Sequence, residues 1–198
     1  HVTGAPGILL ATLGPGVANA ANVMANALQD QVPLIFLTGC LDPAEAATYT
    51  HQIFNHRALL APITKASLTL VDGAVGVLAD KAVAIATAYP PGPVHIDIPI
   101  SVATADQGPE QIRVTTKPQS LAPAPCSEWV AAQACFAAAQ RPLMLAGMGV
   151  LHDDAAADVA EFVRTHQIPL ITTYKAKGIN HNDFFKHIYS VGSVVLKI

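Results

Sequence analysis

The sequence between residues 7 and 39, GILLATLGPGVANAANVMANALQDQVPLIFLTG, decides the fold class of this chain. A short apolar run at Ile8–Leu13 leads into a glycine turn at residues 14–16, and Val17–Gln29 then carries apolar residues at helical spacing. A second apolar run follows at Leu34–Leu37. We predict a strand–helix–strand unit. In open α/β sheets, a glycine turn at the carboxyl end of a strand is a common place for ligands.

The turn at residues 14–16 has two interpretations. A glycine-x-glycine turn after a strand is common in ordinary connections between elements. This turn also lacks the third glycine of the dinucleotide fingerprint, because Asn19 stands in that place, so an NAD site is a poor fit. By itself, the turn is either a plain connection or a site for another ligand.

The composition excludes several classes of protein. Of 198 residues, 52% are hydrophobic and 13% are charged, which suits an α/β core buried on both faces of its sheet. The 11 lysines and arginines form no cluster, which argues against nucleic acid as a partner. No apolar run approaches the roughly 18 residues of a membrane span. Reduced thiols in a cytoplasmic protein are expected, without a zinc pattern, at Cys40, Cys126 and Cys135.

Two α/β patterns follow one another along the chain, and they predict an α/β fold of parallel sheets with flanking helices. In the first pattern we expect a strand at Ile63–Leu70, a helix at Gly73–Ala88 with Asp72 as its N-cap, and a strand at Pro93–Ile98. In the second, we expect a helix capped by Ser127 and running to about Gln140, followed by a strand at Leu143–Ala146, a helix at Asp154–His166 and a strand at Ile168–Thr172.

A series of short motifs resembles the thiamine-diphosphate enzymes of the acetolactate synthase type. The family pattern has T-x-GPG-x-x-N, D-x-x-P, TG, a phenylalanine-glutamine pair, TK and GPV-x-I-D-x-P. In this chain the six motifs fall at Thr12–Asn19, Asp30–Pro33, Thr38-Gly39, His51-Gln52, Thr64-Lys65 and Gly92–Pro99. The order and spacing match the family, and the resemblance covers nearly the whole chain.

The resemblance implies a domain plan. Residues 1–103 would form the pyrimidine-binding domain of the thiamine-diphosphate-binding fold without its start, residues 104–125 a linker, and residues 126–198 the first part of a Rossmann-like central domain. The family's catalytic glutamate would precede residue 1, and its GDG–Asn metal-binding segment matches nothing here. We therefore expect a fragment that is inactive alone, with the Mg²⁺ ligands outside this chain.

The resemblance also implies site residues. The wall beside the cofactor's pyrimidine would be formed by Gly14, Pro15, Gly16 and Asn19. Asn19 has a second interpretation, as a residue that caps the following helix or satisfies the loop. In the central domain, the nearest candidates for an FAD or ADP site are Gly147 and Gly149, and a purely structural turn is the alternative that we favour there.

The two candidate catalytic residues are neighbours. Gln52 matches the family's active-site glutamine, a neutral donor that can orient a keto oxygen as negative charge develops. His51 departs from the family's phenylalanine. It could relay protons, as histidines in the corresponding loop of pyruvate decarboxylases do, which would favour simple decarboxylation. The alternative is an exposed histidine, as expected for His56 and His1.

The implied function is that of a thiamine-diphosphate-dependent lyase or transferase. Such an enzyme decarboxylates a 2-keto acid, ligates the resulting carbanion to an acceptor, or does both. It would use Mg²⁺, with FAD possible in the central domain, as a cytoplasmic homodimer or homotetramer. Alternatives are a simple 2-keto acid decarboxylase, a glyoxylate carboligase, an oxalyl-CoA decarboxylase, or a non-catalytic nucleotide-binding or regulatory protein that kept the fold. These motifs do not select the keto acid or the acceptor.

Overall fold

The computed structural model describes residues 5–106, 108, 125–152, 154–177 and 188–191. The chain divides into two compact units, His1–Gln119 and Ser120–Ile198. Each unit contains its own parallel sheet, which confirms the predicted α/β class. Most of the linker expected at residues 104–125 lies outside the described residues. None of the helices in the described part of the chain is both long and apolar enough to cross a membrane.

The first unit is built on a four-stranded sheet in the order β1-β2-β4-β3, in which every neighbouring pair is parallel. Its strands are β1 (Gly7–Ala11), β2 (Leu34–Cys40), β3 (Ala66–Thr69) and β4 (Pro93–Pro99). Its helices are α1 (Pro15–Gln29), α2 (Pro43–Ala46), α3 (His56–Leu60), α4 (Val75–Thr87) and α5 (Ile100–Thr104), with a 3-10 turn at Ala61–Ile63.

Two apolar clusters lie on opposite faces of this sheet. Phe36 belongs to the cluster that α1 covers through Met24, whereas its neighbour Ile35 belongs to the cluster that α4 covers through Ala82 and Ala86. Consecutive residues of a strand point to opposite faces, so α1 and α4 sandwich the sheet. Burial on both faces explains why β2 opens with the continuous apolar run Leu34–Leu37, whereas in β4 apolar residues alternate with His95 and Asp97.

Several predicted boundaries differ from the structure. α1 begins at Pro15, because Gly14 is its N-cap, and β1 ends at Ala11 rather than Leu13. β3 is shorter than predicted, since the 3-10 turn occupies its expected start. Asp72 is not the N-cap of α4. Ala74 holds that position, because a turn closed by the Ala74 amide and the Val71 carbonyl precedes the helix.

The second unit contains a parallel sheet in the order β5-β6-β7, with β5 at Met144–Ala146, β6 at Leu170–Thr173 and β7 at Ile188–Val191. Its helices are α6 (Ser127–Ala138), α7 (Gly149–His152) and α8 (Ala156–Thr165), and a 3-10 turn spans Tyr174–Ala176. Val163 of α8 packs on a core that includes Ala146 and Leu170.

Two helix starts in the second unit differ from prediction. Ser127 is the first residue of α6 rather than its cap. Its hydroxyl donates to the Glu128 carboxylate, and Cys126 occupies the N-cap position. Asp154 lies outside α8 because its φ of 54° is left-handed and incompatible with a right-handed helix.

Candidate functional site

The carboxyl ends of the parallel strands of the first unit meet at one edge of the sheet. β1 leads there into the turn at residues 14–16, β2 ends at Cys40, and β4 brings Asp97 to the same edge. An open cleft of about 190 Å³ lies at this edge. It is lined by Leu13, Cys40, Leu41, Ala46, Gln52, Ile53, Phe54, Asn55, His56 and Asp97. Such an edge is where open α/β sheets bind ligands.

Gly14 is the residue of the turn that requires glycine. Its φ is 66°, and a Cβ placed there would overlap the carbonyl oxygen of Gln52 and lie 3.0 Å from the Gln52 carbonyl carbon. Gly16 does not have a positive φ, and a Cβ there would meet the Thr12 side chain at 3.0 Å. Glycine at position 14 therefore permits the chain to turn and lets the segment around Gln52 rest directly on it.

Gln52 lies on the loop between α2 and α3 and contributes to the wall of the cleft. Its φ of 60° is left-handed, which is uncommon for a residue with a side chain. The structure therefore brings two predicted site residues, Gly14 and Gln52, into contact. His51 is exposed and does not line the cleft.

The other predicted residues of the pyrimidine wall surround the start of α1. Pro15 is the exposed first residue of the helix, and Gly16 follows it half-buried. Asn19 is exposed and lies inside the helix, so it does not cap α1. A residue can cap a helix only at its start, and α1 already begins at Pro15. The fixed φ of proline suits the first position of a helix.

His56 is buried, not exposed as the sequence suggested, with 7% of its surface accessible. Its Nε2 accepts a hydrogen bond from the Gly14 amide at 3.1 Å, and its Nδ1 lies 2.8 Å from Oδ1 of Asp97. Since Nε2 accepts, the proton of the neutral ring is on Nδ1, which donates to the carboxylate. No local pattern in the sequence signals these contacts, because their partners lie 42 and 41 residues away.

A second chain of hydrogen bonds reaches Asp97 from β2 and β3. The Thr38 hydroxyl donates to Oδ1 of Asp97 at 2.7 Å, and Thr38 Oγ1 lies 2.8 Å from Nε2 of His95. Because Thr38 has one hydroxyl proton, the His95 Nε2–H donates to Thr38. The Ser67 hydroxyl, 2.7 Å from His95 Nδ1, is then the donor to the neutral ring. Thr38 and His95 have no accessible surface.

These contacts set the charge of the cleft. Burial alone would raise the pKa of Asp97, but hydrogen bonds from His56, His95 and Thr38 outweigh it and hold that pKa well below the usual range. Asp97 is therefore a carboxylate at neutral pH. Burial, together with the negative charges of Asp97 and Asp42, raises the pKa of the Cys40 thiol to about 11, so Cys40 stays protonated.

The cluster of His56, His95 and Asp97 has the residue types of a metal site, with ligand atoms within 4.8 Å of one another. The hydrogen bonds argue for another role. His56 faces Asp97 with a protonated nitrogen, and the Gly14 amide holds the ring in that tautomer. A metal at Nδ1 would need the proton moved to Nε2, where it would oppose the Gly14 amide. The protons of this cluster are therefore already committed to hydrogen bonds.

The remaining motif residues have structural contacts. The Thr64 hydroxyl donates to the Leu60 carbonyl at 2.9 Å. The Lys65 ammonium donates to the carbonyls of Ile85 and Ala88 at 2.5 and 2.6 Å, which caps the carboxyl end of α4. Burial lowers the pKa of Lys65. Neither residue of the TK pair lines the cleft.

The glycine turn of the second unit has more room for a side chain at Gly147 than the turn of the first unit has at Gly14. Gly147 follows β5, and Gly149 is the first residue of the four-residue helix α7. A Cβ at Gly147 would have no heavy atom within 4 Å, so no close approach requires glycine there. Lys177 of the predicted Lys177-Gly178 turn is described, whereas Gly178 lies outside the described residues.

Comparisons with known proteins give consistent findings. Residues 1–59 match the family model described as "Thiamine pyrophosphate enzyme, N-terminal TPP binding domain". Residues 130–197 match the model "Thiamine pyrophosphate enzyme, central domain". The two matches follow the order of the two units of the fold.

Three curated relatives show the range of related proteins. The chain is 31% identical over 184 residues to acetolactate synthase of Bacillus subtilis. The aligned region covers 92% of this chain and 32% of that relative. It is 33% identical over 185 residues to the probable 2-ketoarginine decarboxylase AruI of Pseudomonas aeruginosa, and the aligned region covers 90% of this chain and 32% of AruI. It is 29% identical over 185 residues to oxalyl-CoA decarboxylase of Escherichia coli, and the aligned region covers 90% of this chain and 33% of that relative. The chain thus spans about a third of the length of these relatives.

Proposed function

This chain belongs to the family of thiamine pyrophosphate enzymes, and from that premise we propose that it is part of an enzyme acting on a 2-keto acid. The enzyme removes carbon dioxide from the keto acid and transfers the remaining fragment to an acceptor, as an acetolactate synthase does. The observation that carries the proposal is the contact of Gly14 with Gln52 beside the cleft at the carboxyl edge of the sheet.

The candidate site residues of the first unit each have a role in this proposal. The backbone of residues 14–16 forms the wall against which the pyrimidine of thiamine diphosphate rests, and Asn19 lies one helical turn further along. Bound thiamine diphosphate supplies the carbanion chemistry, and the protein supplies orientation and electrostatics. Gln52 donates from its side-chain amide to the keto oxygen as negative charge develops there. Ile53 and Phe54 add apolar side chains to the lining of the cleft.

The other cofactors and the setting of the enzyme belong to the same proposal. Mg²⁺ holds the diphosphate, and among the described residues the His56–His95–Asp97 cluster does not suit it as a site, because the protons of the cluster are engaged in hydrogen bonds. The turn at Gly147 and Gly149 is structural, with an FAD site as the alternative. The open surroundings of Gly147 support the structural role. We propose a cytoplasmic homodimer or homotetramer.

A simple decarboxylase is the second candidate, and His51 beside Gln52 is the feature that favours it. Two of the three relatives above are named as decarboxylases. Product analysis separates the candidates. With pyruvate as substrate, a carboligase forms a product containing two substrate fragments, whereas a decarboxylase releases an aldehyde. Replacement of His51 by Phe lowers aldehyde release if His51 relays the proton.

The first prediction concerns Gln52→Ala in the full-length protein. Loss of a donor to developing negative charge lowers kcat by about 100-fold. The affinity for thiamine diphosphate stays unchanged, because Gln52 acts on the substrate. Steady-state kinetics and cofactor titration measure the two quantities. Gln133→Ala is the matched control, since Gln133 is an exposed glutamine on α6. An unchanged kcat for Gln52→Ala would contradict the assignment of Gln52, and absence of thiamine diphosphate binding in the wild type would contradict the proposed function.

A further inference from the structure

The hydrogen bonds of the loop that carries Gln52 lie near its two ends. At its start, the amides of Thr48 and Tyr49 donate to the Glu45 carbonyl at 3.0 and 2.9 Å. Among the described residues, none of residues 50–54 makes a hydrogen bond. At the other end, Asn55 caps α3 and His56 reaches across to the glycine turn. The position of Gln52 thus depends on how the two ends of the loop are fastened.

We propose that His56 is the positioning residue that fastens the Gln52 loop to the glycine turn, by accepting the Gly14 amide proton on Nε2 while Asp97 holds the ring in the required tautomer. The role in the cofactor site rests on the proposed function, whereas the role in joining loop and turn does not. His56 makes no direct contribution to chemistry, since both of its ring nitrogens are engaged by the protein.

The surroundings of His56 support a positioning role. Its ring is buried and packs edge-on against Phe54, with ring centroids 5.1 Å apart. The carboxylate that orients it is itself held by Thr38, so the ring is fixed from the sheet side. The Gly14 amide that it accepts belongs to the N-cap of α1, and the absence of a Cβ on Gly14 leaves room for the Gln52 carbonyl. One histidine therefore connects the loop, the turn and β4.

Two amide variants test the roles of the two ring nitrogens of His56 one at a time. The amide of Gln reaches the position of Nε2 and keeps an acceptor for the Gly14 amide, whereas the shorter Asn reaches only the position of Nδ1 and keeps a donor to Asp97. In the full-length protein, His56→Asn increases hydrogen exchange in peptides covering residues 11–18 and 50–58, and His56→Gln largely preserves their protection. His56→Asn also weakens thiamine diphosphate binding by about tenfold, against about threefold or less for His56→Gln.

The control for the two His56 variants is a histidine of the second unit. His166→Asn replaces an exposed histidine of the second unit and leaves exchange and affinity unchanged. Equal losses in both His56 variants, or none in His56→Asn, would overturn the role of Nε2. If neither wild type nor variants bind thiamine diphosphate while the exchange difference is present, the proposed function fails and the fastening role stands.

The wild-type protein provides a test that does not depend on a folded variant. Nitrogen-15 NMR of histidine-labelled full-length protein at neutral pH reports which ring nitrogen carries the proton. We expect His56 to be the neutral tautomer with the proton on Nδ1. A proton on Nε2, in either the other neutral tautomer or the imidazolium, would remove the acceptor for Gly14 and overturn the inference.

Discussion

At the scale of single residues, the site depends on the contact between a glycine and a glutamine that are 38 positions apart. Gly14 and Gln52 both have left-handed backbones, and the carbonyl of one occupies the space in which a side chain of the other would lie. Strained or sparsely populated backbone conformations concentrate at functional sites, where the surrounding structure holds them. His56 holds the Gly14 side of this pair by accepting a hydrogen bond from the Gly14 amide.

Gly14→Ala tests this contact directly. A side chain at φ 66° is strained and also displaces Gln52, so we expect a loss of about 2 kcal/mol or more in the free energy of unfolding. Gly16→Ala lowers the free energy of unfolding by less, about 1 kcal/mol, because the added methyl group meets the Thr12 side chain, which can shift. Gly76→Ala, near the start of α4 and with no neighbour within 4 Å, is the control and stabilises by about 0.5 kcal/mol. Denaturant titration measures all three, and a larger loss for Gly16→Ala than for Gly14→Ala would refute the geometry.

At the scale of elements, the hydrogen bonds around Asp97 tie together three of the four strands of the first sheet. Ser67 of β3, His95 and Asp97 of β4, and Thr38 of β2 form one connected path that ends on the carboxylate. All the polar side chains of this path are satisfied by one another. A buried network of this kind rigidifies the sheet edge when complete and becomes costly when one member is removed.

Asp97→Asn should therefore lower stability by about 2 kcal/mol at pH 7, because a charged acceptor of several hydrogen bonds becomes neutral. The folded-state pKa of Asp97 is depressed, so the carboxylate's contribution is fully present above the unfolded pKa of about 4. It is lost progressively as the pH falls below that value towards the folded pKa. The stability difference between wild type and variant thus shrinks in acid. Urea unfolding from pH 7 to pH 2 measures it.

The matched control for this variant is Asp80→Asn. The side chain of Asp80 on α4 makes no hydrogen bond or ion pair among the described residues, so Asp80→Asn removes no contact of the kind that Asp97→Asn removes. If the difference for Asp97→Asn stayed constant down to pH 2, the hydrogen bonds to the carboxylate would not be the source of its stabilising effect.

At the scale of the whole molecule, β1 is an edge strand among the described residues, and one of its sides is apolar and exposed. Ile8 and Leu10 are 75% and 71% exposed, and they alternate along β1 with Leu9, which packs on the side of the sheet that α1 covers. An edge strand with exposed apolar side chains is a place where further chain or another subunit packs. This exposure supports the proposal that the full-length enzyme is an oligomer in which the first unit is covered.

Sedimentation of the full-length protein tests the proposed assembly. We expect a dimer or a tetramer, because in the family to which the resemblance points the cofactor lies between domains of two subunits. The measurement is made with and without thiamine diphosphate and Mg²⁺, and added cofactor should shift the distribution towards the oligomer by mass action. An active monomer at concentrations well above those of the assay would contradict the proposal.

The sequence by itself determined the fold class, the type and order of most elements, and the family. These follow from local signals: apolar runs predict the buried strands, helical spacing predicts α1, α4 and α8, and glycine and proline mark the turns between them. The tertiary structure alone decided how the residues of the candidate site are held together. Gly14, not Gly16, is the position at which a side chain would not fit, and His56 is buried against Asp97. Both facts arise from contacts between residues about 40 positions apart. Such contacts form only when parallel strands bring their carboxyl ends to one edge, and no local pattern records them.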